Sequence, residues 1–307
     1  MLALVAPGQG SQTPGFLAPW LELDFAKDLL THWSEIIDLD LLRLGTTADA
    51  DEIRETANAQ PLLVAAGLIG ASSIFTNDDS LISAVAGHSV GEITAAALAQ
   101  VLTAETALTL VRARGLEMSR AAMGSETGMS ALLGGERETI IAALDELGLT
   151  AANENGAGQI VAAGKLSALA ALAENPPSGA RVRPLAVSGA FHTAVMEPAV
   201  GVLRGMAAQV TTSNPRFSIL SNKEGAVVTT GDEVLDRIVG QIAGPVRWDL
   251  CMDTLATMGI TGIIELPPAG TLVGLLKRAQ PGIETFALKT PDDISAAREF
   301  AEKHGAK

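Results

Sequence analysis

The chain has 307 residues, of which 48% are hydrophobic and only 3% aromatic, and it contains no tyrosine. A core of Ala, Leu, Val and Ile suits close-packed helices and buried parallel strands, and the length allows one large domain with an insertion. The formal net charge of −14 and the lack of a dense basic stretch exclude a nucleic-acid-binding protein and any long-range attraction to anionic membranes.

The cysteine content and the apolar segments indicate the cellular compartment in which the protein is expected. The single cysteine, Cys251, excludes an internal disulfide, so a reducing compartment is expected and Cys251 is interpreted as a small core residue. Met1 to Ala6 lacks the basic start of a secretory signal. The apolar stretch from Pro61 to Phe75 is interrupted by glycines and serines and is shorter than the roughly 18 residues of a membrane span. We therefore expect a soluble, cytoplasmic protein without a membrane partner.

The first part of the chain predicts strands that alternate with helices. Short apolar runs ended by glycine or proline indicate the strands, and Pro61 is expected in the first turn of its helix, where a missing N–H is tolerated. The predicted elements are strands at Leu2–Ala6 and Leu81–Ala86 and helices at Ala26–Ile37, Ala48–Thr56, Pro61–Ile74, Glu92–Gln100 and Ala104–Ala122.

The pattern changes between residues 124 and 188. Strands are predicted at Met129–Leu133, Leu149–Asn153, Gln159–Ala163 and Arg181–Val187, with helices at Glu136–Leu147 and Leu166–Ala173. The resulting βαββαβ order is typical of a ferredoxin-like subdomain. We therefore expect an insertion at 124–188 in a catalytic core formed by 1–123 and 189–307.

After the insertion the alternation returns. The predicted elements are helices at Thr193–Val210, Glu233–Ile242 and Trp248–Met258 and strands at Ser218–Leu220 and Gly262–Leu266. Alternating strands and helices predict an α/β core, with a mostly parallel sheet covered by helices on both faces.

Residues 87–91, Gly-His-Ser-Val-Gly, match the G-x-S-x-G pattern between a predicted strand and a predicted helix. That context is the one a nucleophile elbow requires, because the sharp turn exposes the serine above the start of a helix. Ser89 is therefore the candidate nucleophile. The alternative is a glycine-rich turn in which Ser89 only caps the helix.

A serine nucleophile needs a base, and the chain has four histidines. His304 is placed in a charged tail, His32 at an exposed helix start, and His88 inside the elbow with its side chain directed away from Ser89. His192, which follows the last strand of the insertion, remains as the candidate base; the alternative is a histidine that is merely hydrogen-bonded at a helix start.

The segment Pro7-Gly8-Gln9-Gly10-Ser11-Gln12 follows the first strand and lacks the Lys-Ser/Thr of a phosphate-binding loop. Beside an elbow, a backbone N–H of such a loop pairs with that of the residue after the nucleophile to form an oxyanion hole. The backbone amides of Gln9 and Val90 are assigned this role.

Seven motifs, in order from residue 5 to about 278, resemble the malonyl-CoA:acyl carrier protein transacylase family. They are the Pro-Gly-Gln-Gly-Ser-Gln loop, Gln60-Pro61, Gly-His-Ser-Val-Gly-Glu, Val111-Arg112-Ala113-Arg114-Gly115, the Asn153/Asn155/Gln159 loop, Phe191-His192 and Pro245-Val246-Arg247-Trp248. The family implies an α/β-hydrolase-like core with a ferredoxin-like insertion. It also implies malonyl-CoA and acyl carrier protein as partners, and neither a metal nor a cofactor.

The resemblance assigns roles by position. Ser89 is the nucleophile, His192 the general base, and Arg114 binds the free malonyl carboxylate, which a guanidinium grips with two parallel hydrogen bonds. Gln241 orients His192 through its backbone carbonyl, and Gln60, Met118, Asn153, Asn155 and Phe191 line or brace the pocket. Ala6, Phe191 and Pro267-Pro268-Ala269-Gly270 depart from the family pattern; Phe191 resembles malonyl-selective acyltransferase domains.

Three other functions are considered. A serine hydrolase or thioesterase needs the same elbow and base but has no use for Arg114. A stand-alone acyltransferase that serves a polyketide synthase has the same chemistry and a different carrier. A non-catalytic docking module would leave the intact elbow and base without a purpose.

An acyl carrier protein is itself acidic, so its docking to this acidic chain requires a local basic patch near the cleft. The candidates are Lys165, Arg181 and Arg183 on the insertion and Lys223 and Arg278 on the core, although each taken singly is consistent with a solvated surface charge.

Overall fold

A computed structural model describes residues 1–75, 79–187 and 189–305. The strands of these residues are β1 (Leu2–Ala6), β2 (Ile82–Gly87), β3 (Thr127–Gly134), β4 (Thr150–Gly156), β5 (Gln159–Lys165), β6 (Ala180–Pro184), β7 (Ser218–Leu220), β8 (Val227–Val228), β9 (Val246–Arg247), β10 (Gly262–Glu265) and β11 (Glu284–Ala287). The α-helices are α1 (Asp24–Ile37), α2 (Leu41–Thr46), α3 (Ala50–Arg54), α4 (Thr56–Ile74), α5 (Gly91–Leu98), α6 (Ala104–Ala122), α7 (Arg137–Glu146), α8 (Leu166–Glu174), α9 (Glu197–Ala207), α10 (Gly231–Gly240), α11 (Trp248–Thr257), α12 (Thr271–Ala279) and α13 (Ile294–Gly305).

The first sheet positions the candidate site. Its strand order is β11-β10-β1-β2-β7-β8, and every neighbouring pair is parallel except β7 with β8 at the edge. All five residues of β1 are buried, as a strand covered on both faces requires. Because parallel strands end at the same edge, the loops after β1, β2 and β7 meet there.

The second sheet is built mainly from the predicted insertion. Its order is β6-β3-β5-β4-β9; the first four strands pair antiparallel, and β9 adds to β4 in parallel. Strand β9 comes from the chain beyond residue 188, which the sequence did not predict. Arg137 and Arg247 both approach Glu154, at 2.6 and 3.5 Å, so ion pairs accompany the junction of β9 with the insertion.

The prediction that Pro61 opens a helix is wrong. Helix α4 begins at Thr56, and Pro61 lies inside it. A proline there removes the hydrogen bond to the carbonyl four residues earlier, that of Ala57. The Arg112 Nη1 atom donates to this carbonyl at 2.9 Å, so the helix continues without an unpaired group at that point.

Helix α4 is also the one described helix that is long and apolar enough to cross a membrane, with 83% of the relevant window buried in the protein. Burial of this kind is what a core helix of a folded domain shows.

Other boundaries differ from the sequence prediction. The helix predicted at 193–210 is a 3₁₀ turn at Ala194–Met196 followed by α9, and β6 ends at Pro184 rather than at residue 187. His304 is buried in α13 and does not lie in an exposed tail, because that helix packs against β10. Helices α2, α12 and α13 and strands β8, β9 and β11 were not predicted. Residue 188, the last of the predicted insertion, lies outside the described residues.

Candidate active site

Ser89 occupies a sharp turn between β2 and α5. Its φ of +53° lies in the left-handed region, which a non-glycine residue adopts at some cost. The two flanking glycines are required by close approach. A Cβ on Gly87 would lie 1.9 Å from the carbonyl carbon of Gly91, and one on Gly91 would lie 2.3 Å from the Ala6 carbonyl oxygen. The turn is therefore the geometry that the G-x-S-x-G pattern predicts.

Ser89, His192 and the Gln241 backbone form a hydrogen-bonded chain. Ser89 Oγ lies 2.8 Å from His192 Nε2, and His192 Nδ1 lies 2.8 Å from the Gln241 carbonyl oxygen. A carbonyl can only accept, so Nδ1 carries the proton and Nε2 is left to accept from the serine hydroxyl. Burial, and then the positive charge of Arg114, lower the pKa of His192 to about 3, so the imidazole is neutral at pH 7.

Arg114 is only 1% exposed and lies against the nucleophile. Its Nη2 donates to Ser89 Oγ at 3.3 Å and to Gln241 Oε1 at 3.1 Å, while Nη1 donates to Gln60 Oε1 at 2.7 Å. Burial lowers the pKa of Arg114 to about 10, which still leaves it charged at neutral pH. A fixed cation therefore stands beside the reacting hydroxyl.

A cavity of about 340 Å³ opens above Ser89 and His192. The other predicted site residues that line it are Gln9, Gln60, Val90, Met118, Asn153, Asn155 and Phe191. Arg114 and Gln241 are not part of the cavity wall but contact residues that are, Ser89 and His192. Gln60 is held between the guanidinium and Met118, to whose sulfur its Nε2 donates at 3.5 Å. Within the described residues no cluster of His, Cys, Asp or Glu is suited to hold a metal ion.

Gln9 and Val90, whose backbone amides are proposed for an oxyanion hole, both line this cavity. Val90 precedes α5 at its N-terminus, and the side chain of Gln9 is tied to Thr56 Oγ1 and the Arg54 carbonyl, both at 3.3 Å. Among the described residues, neither the Gln9 nor the Val90 backbone N–H donates to another group. Both donors are thus available to a substrate oxygen.

His88 has a different environment from His192. Its Nε2 lies 2.8 Å from Asn155 Oδ1, and burial lowers its pKa. This ring nitrogen is hydrogen-bonded to Asn155, whereas His192 is the histidine hydrogen-bonded to Ser89 Oγ. Asn155 therefore connects the elbow to the second sheet as well as lining the cavity.

Sequence reasoning missed two buried polar residues beneath the elbow, Glu92 and Asn222. Glu92 Oε1 accepts from the Asn222 backbone N–H at 2.6 Å, and Glu92 Oε2 contacts Gln241 Nε2. Burial raises the pKa of Glu92 to about 8, against the opposing effect of the Asn222 N–H and of Arg114. Glu92 stands in the quoted motif, but the position of Asn222 depends on the pairing of β2 with β7, which the sequence does not reveal.

Comparison with known proteins gives one consistent result. The chain matches the acyl transferase domain family over residues 4–289. It is 50% identical over 299 residues to a malonyl CoA-acyl carrier protein transacylase of Mycobacterium tuberculosis (strain H37Rv), covering 96% of this chain and 98% of the relative.

Two solved structures have the same architecture. The crystal structure of MCAT from Mycobacterium tuberculosis superposes with a TM-score of 0.92 at 49% identity, covering 97% of this chain and 99% of that one. A malonyl-transacylase in complex with a type II PKS acyl-carrier protein has a TM-score of 0.90 at 28% identity, with coverage of 97% and 99%.

Proposed function

Since the chain belongs to the acyl transferase domain family, we propose a ping-pong mechanism in which Ser89 carries a malonyl group between two thiols. The activity is that of a malonyl-CoA:acyl carrier protein transacylase: the enzyme takes the malonyl group from malonyl-CoA and passes it to acyl carrier protein. The mechanism rests on the hydrogen bonds that connect Ser89 Oγ through His192 to the Gln241 carbonyl, and on the Arg114 guanidinium that donates to Ser89 Oγ.

In the first half-reaction, His192 Nε2 takes the proton of the Ser89 hydroxyl as Oγ attacks the thioester carbonyl. The Gln9 and Val90 amides donate to the oxygen that becomes negatively charged. When the intermediate collapses, the C–S bond breaks and His192 returns the proton to the departing CoA sulfur. Ser89 is left as a malonyl ester.

The second half-reaction repeats these steps with the phosphopantetheine thiol of the carrier protein. His192 now deprotonates that thiol, and the sulfur attacks the ester carbonyl. The bond between the acyl carbon and Ser89 Oγ then breaks, and His192 returns the proton to Oγ. One base therefore serves both directions, which suits a reaction between two thioesters of similar energy.

Arg114 is proposed to select the acyl group. The malonyl carboxylate stands two bonds from the carbonyl that Ser89 attacks, and Arg114 Nη2 lies 3.3 Å from Ser89 Oγ, so a bound carboxylate falls within reach of the guanidinium. The buried positive charge of Arg114 argues against a general esterase or thioesterase, which has no carboxylate to bind. The likeness to a malonyl-transacylase bound to a type II PKS acyl-carrier protein supports a polyketide carrier as a second candidate acceptor.

The finer architecture is also a proposal. The order β6-β3-β5-β4 with antiparallel pairing supports a ferredoxin-like insertion at 124–188, and the parallel first sheet supports an α/β-hydrolase-like core from 1–123 and 189–307. We further propose a cytoplasmic enzyme that needs neither cofactor nor metal.

The five candidate docking cations, Lys165, Arg181, Arg183, Lys223 and Arg278, are all exposed, and none forms an ion pair with another described residue. Strand β6 carries two of them and leads into residues 185–187 of the cavity wall, while α12 carries Arg278 and contributes Leu275 to that wall. Their location supports a docking role for an acidic carrier.

Intact mass spectrometry tests the proposal. The protein is incubated separately with malonyl-, acetyl- and methylmalonyl-CoA and then weighed, alongside the Ser89→Ala variant. We expect the wild type to gain one malonyl group and the variant to gain none. A malonylated Ser89→Ala protein would rule out the mechanism.

A further inference from the structure

Asn222 lies directly below the nucleophile elbow without touching the cavity. It follows β7, which pairs in parallel with β2, so the chain after β7 runs beside the turn that carries Ser89. Its side chain is completely buried. A buried amide is stable only if its polar atoms are paired, and each hydrogen bond it makes therefore restricts its neighbours.

The Asn222 side chain binds two backbone groups at the start of the elbow. Its Oδ1 accepts from the Ser89 backbone N–H at 2.8 Å, and its Nδ2 donates to the Gly87 carbonyl at 2.8 Å. These bonds flank His88 and fix the N–H of Ser89, the residue whose φ is +53°. Backbone strain of this kind persists only where the surroundings hold it, and the bond to the Ser89 N–H is one of the holding contacts.

The same residue is connected to the base. Gln241 Nε2 donates to Asn222 Oδ1 at 3.0 Å, and the Gln241 backbone carbonyl is the acceptor for His192 Nδ1 at 2.8 Å. The backbone of Asn222 is also fixed, because its N–H donates to Glu92 and its carbonyl accepts from the Arg247 N–H at 2.8 Å. One amide thus joins the nucleophile to the group that orients its base.

The two consecutive amides of the turn differ in their partners. The Ser89 N–H is bound by Asn222 below the elbow, whereas the Val90 N–H has no partner among the described residues and belongs to a residue that lines the cavity. An oxyanion donor is effective only when it is fixed before the reaction.

We propose that Asn222 is a positioning residue that holds the elbow in its reactive conformation and keeps the Val90 amide and His192 aligned with Ser89. This inference rests on the proposed Ser89 mechanism. It assigns Asn222 an effect on the rate of acyl transfer and none on malonyl-CoA binding, because Arg114 and the cavity wall remain in place without it.

Rapid-quench measurement of Ser89 malonylation at saturating malonyl-CoA tests the assignment. Asn222→Ala is expected to slow this step about 30- to 300-fold, close to the loss of about 10²–10³ that follows removal of one oxyanion donor. Affinity for malonyl-CoA, compared between Ser89→Ala and Ser89→Ala/Asn222→Ala, is expected to agree within about threefold.

Two further variants separate positioning from a loss of folding. Cys251→Ala removes a buried group that touches the Asn222 amide at 3.5 Å and leaves its bonds to the elbow in place, so malonylation should stay within about threefold of wild type. Asn222→Asp has the shape of asparagine and, when protonated, both a donor and an acceptor. Buried beside Glu92, whose pKa is itself raised to about 8, its carboxyl is expected to be protonated at pH 6 and to restore at least tenfold over Asn222→Ala.

Three results would overturn the assignment: malonylation of folded Asn222→Ala within threefold of wild type, a loss of malonyl-CoA affinity that accounts for the whole effect, or no restoration by Asn222→Asp at pH 6. Failure of the Ser89 mechanism itself would give a different result, namely a Ser89→Ala protein that is still malonylated.

Discussion

The two sides of the cleft are built from different chemistry. On the core side, Ser89, Arg114, His192 and Gln241 are joined by buried and partly buried hydrogen bonds. The insertion side contributes mainly apolar and amide groups, such as Met129, Val161 and Asn153. The difference indicates that the core side makes and breaks bonds, whereas the insertion side shapes the space and the approach of the carrier. Substitutions on the two sides should therefore differ in both size and kind.

The largest effect is expected at the base on the core side. His192→Ala should lower the rate of Ser89 malonylation by about 10²–10⁴-fold, the usual contribution of a general base, with little change in malonyl-CoA affinity. Rapid-quench kinetics measures the rate, and His32→Ala, an exposed histidine on α1, is the matched control. A loss below tenfold would show that His192 is not the base.

Arg114→Ala is expected to impair malonyl transfer far more than acetyl transfer. Loss of a charge-assisted pair costs roughly 1.5–3 kcal/mol, which corresponds to about one to two decades in kcat/KM. Steady-state assays with both donors measure the ratio. Arg120→Ala on the same helix removes an exposed guanidinium paired with Glu117 and should change neither donor. Equal losses for the two donors in Arg114→Ala would mean that this residue only supports the fold.

The five proposed docking cations should affect the carrier step alone. Reversal of Lys165, Arg181, Arg183, Lys223 and Arg278 to Glu is expected to lower transfer to acyl carrier protein about 3- to 10-fold, through slower association, and to leave malonylation by malonyl-CoA nearly unchanged. Added salt should slow the wild-type carrier reaction as well. The control is Lys27→Glu/Arg204→Glu, which reverses exposed charges on α1 and α9, two helices that contribute no residue to the cavity wall. A carrier reaction indifferent to both salt and reversal would exclude this patch.

Where β9 joins the insertion sheet, a substitution should change the stability of the protein more than the rate of Ser89 malonylation. Glu154→Gln weakens the contacts with Arg137 and Arg247 and is expected to lower the free energy of unfolding by about 1–2 kcal/mol, discounted because Arg137 is half exposed. Malonylation should stay within about threefold. Urea unfolding measures the former, with the surface pair partner Glu284→Gln as control. A rate loss comparable to that of His192→Ala would erase the distinction between the two sides.

The smallest expected effect is that of pH on the wild type. The His192 pKa is lowered to about 3, so the base stays neutral from pH 8 down to pH 5, and kcat/KM for malonylation should show no inflection near 6.5. Removal of the Arg114 charge should raise the His192 pKa and move the acid limb to higher pH. Acetyl-CoA profiles of Arg114→Ala and wild type measure this shift. A wild-type inflection near 6.5 would contradict the assigned environment of His192.

The sequence predicted those parts of the site that depend on local order. Strand, glycine and serine follow one another along the chain at the elbow, so the turn and the exposure of Ser89 could be inferred from neighbours alone. The family resemblance supplied Arg114 and the Gln241 carbonyl. In the structure the first contacts Ser89 and the second contacts His192, although neither is near its partner along the chain.

Features that depend on distant packing could not be predicted. Pro61 inside α4 is tolerated because Arg112, on another helix, donates to the carbonyl that proline leaves free. Asn222 reaches the elbow only because β7 lies beside β2, and β9 extends the insertion sheet from outside it. The local sequence around these positions does not indicate which strands pair in the folded protein.

The most direct measurement for the central claim is a chase of the isolated malonyl-enzyme. The protein is malonylated, freed of malonyl-CoA, and divided between buffer and holo acyl carrier protein, and the peptide containing Ser89 is weighed over time. We expect a malonyl ester on Ser89 that persists in buffer and moves to the carrier within the turnover time. Malonyl on any other residue, or an ester lost to water as fast as to the carrier, would contradict the proposed mechanism.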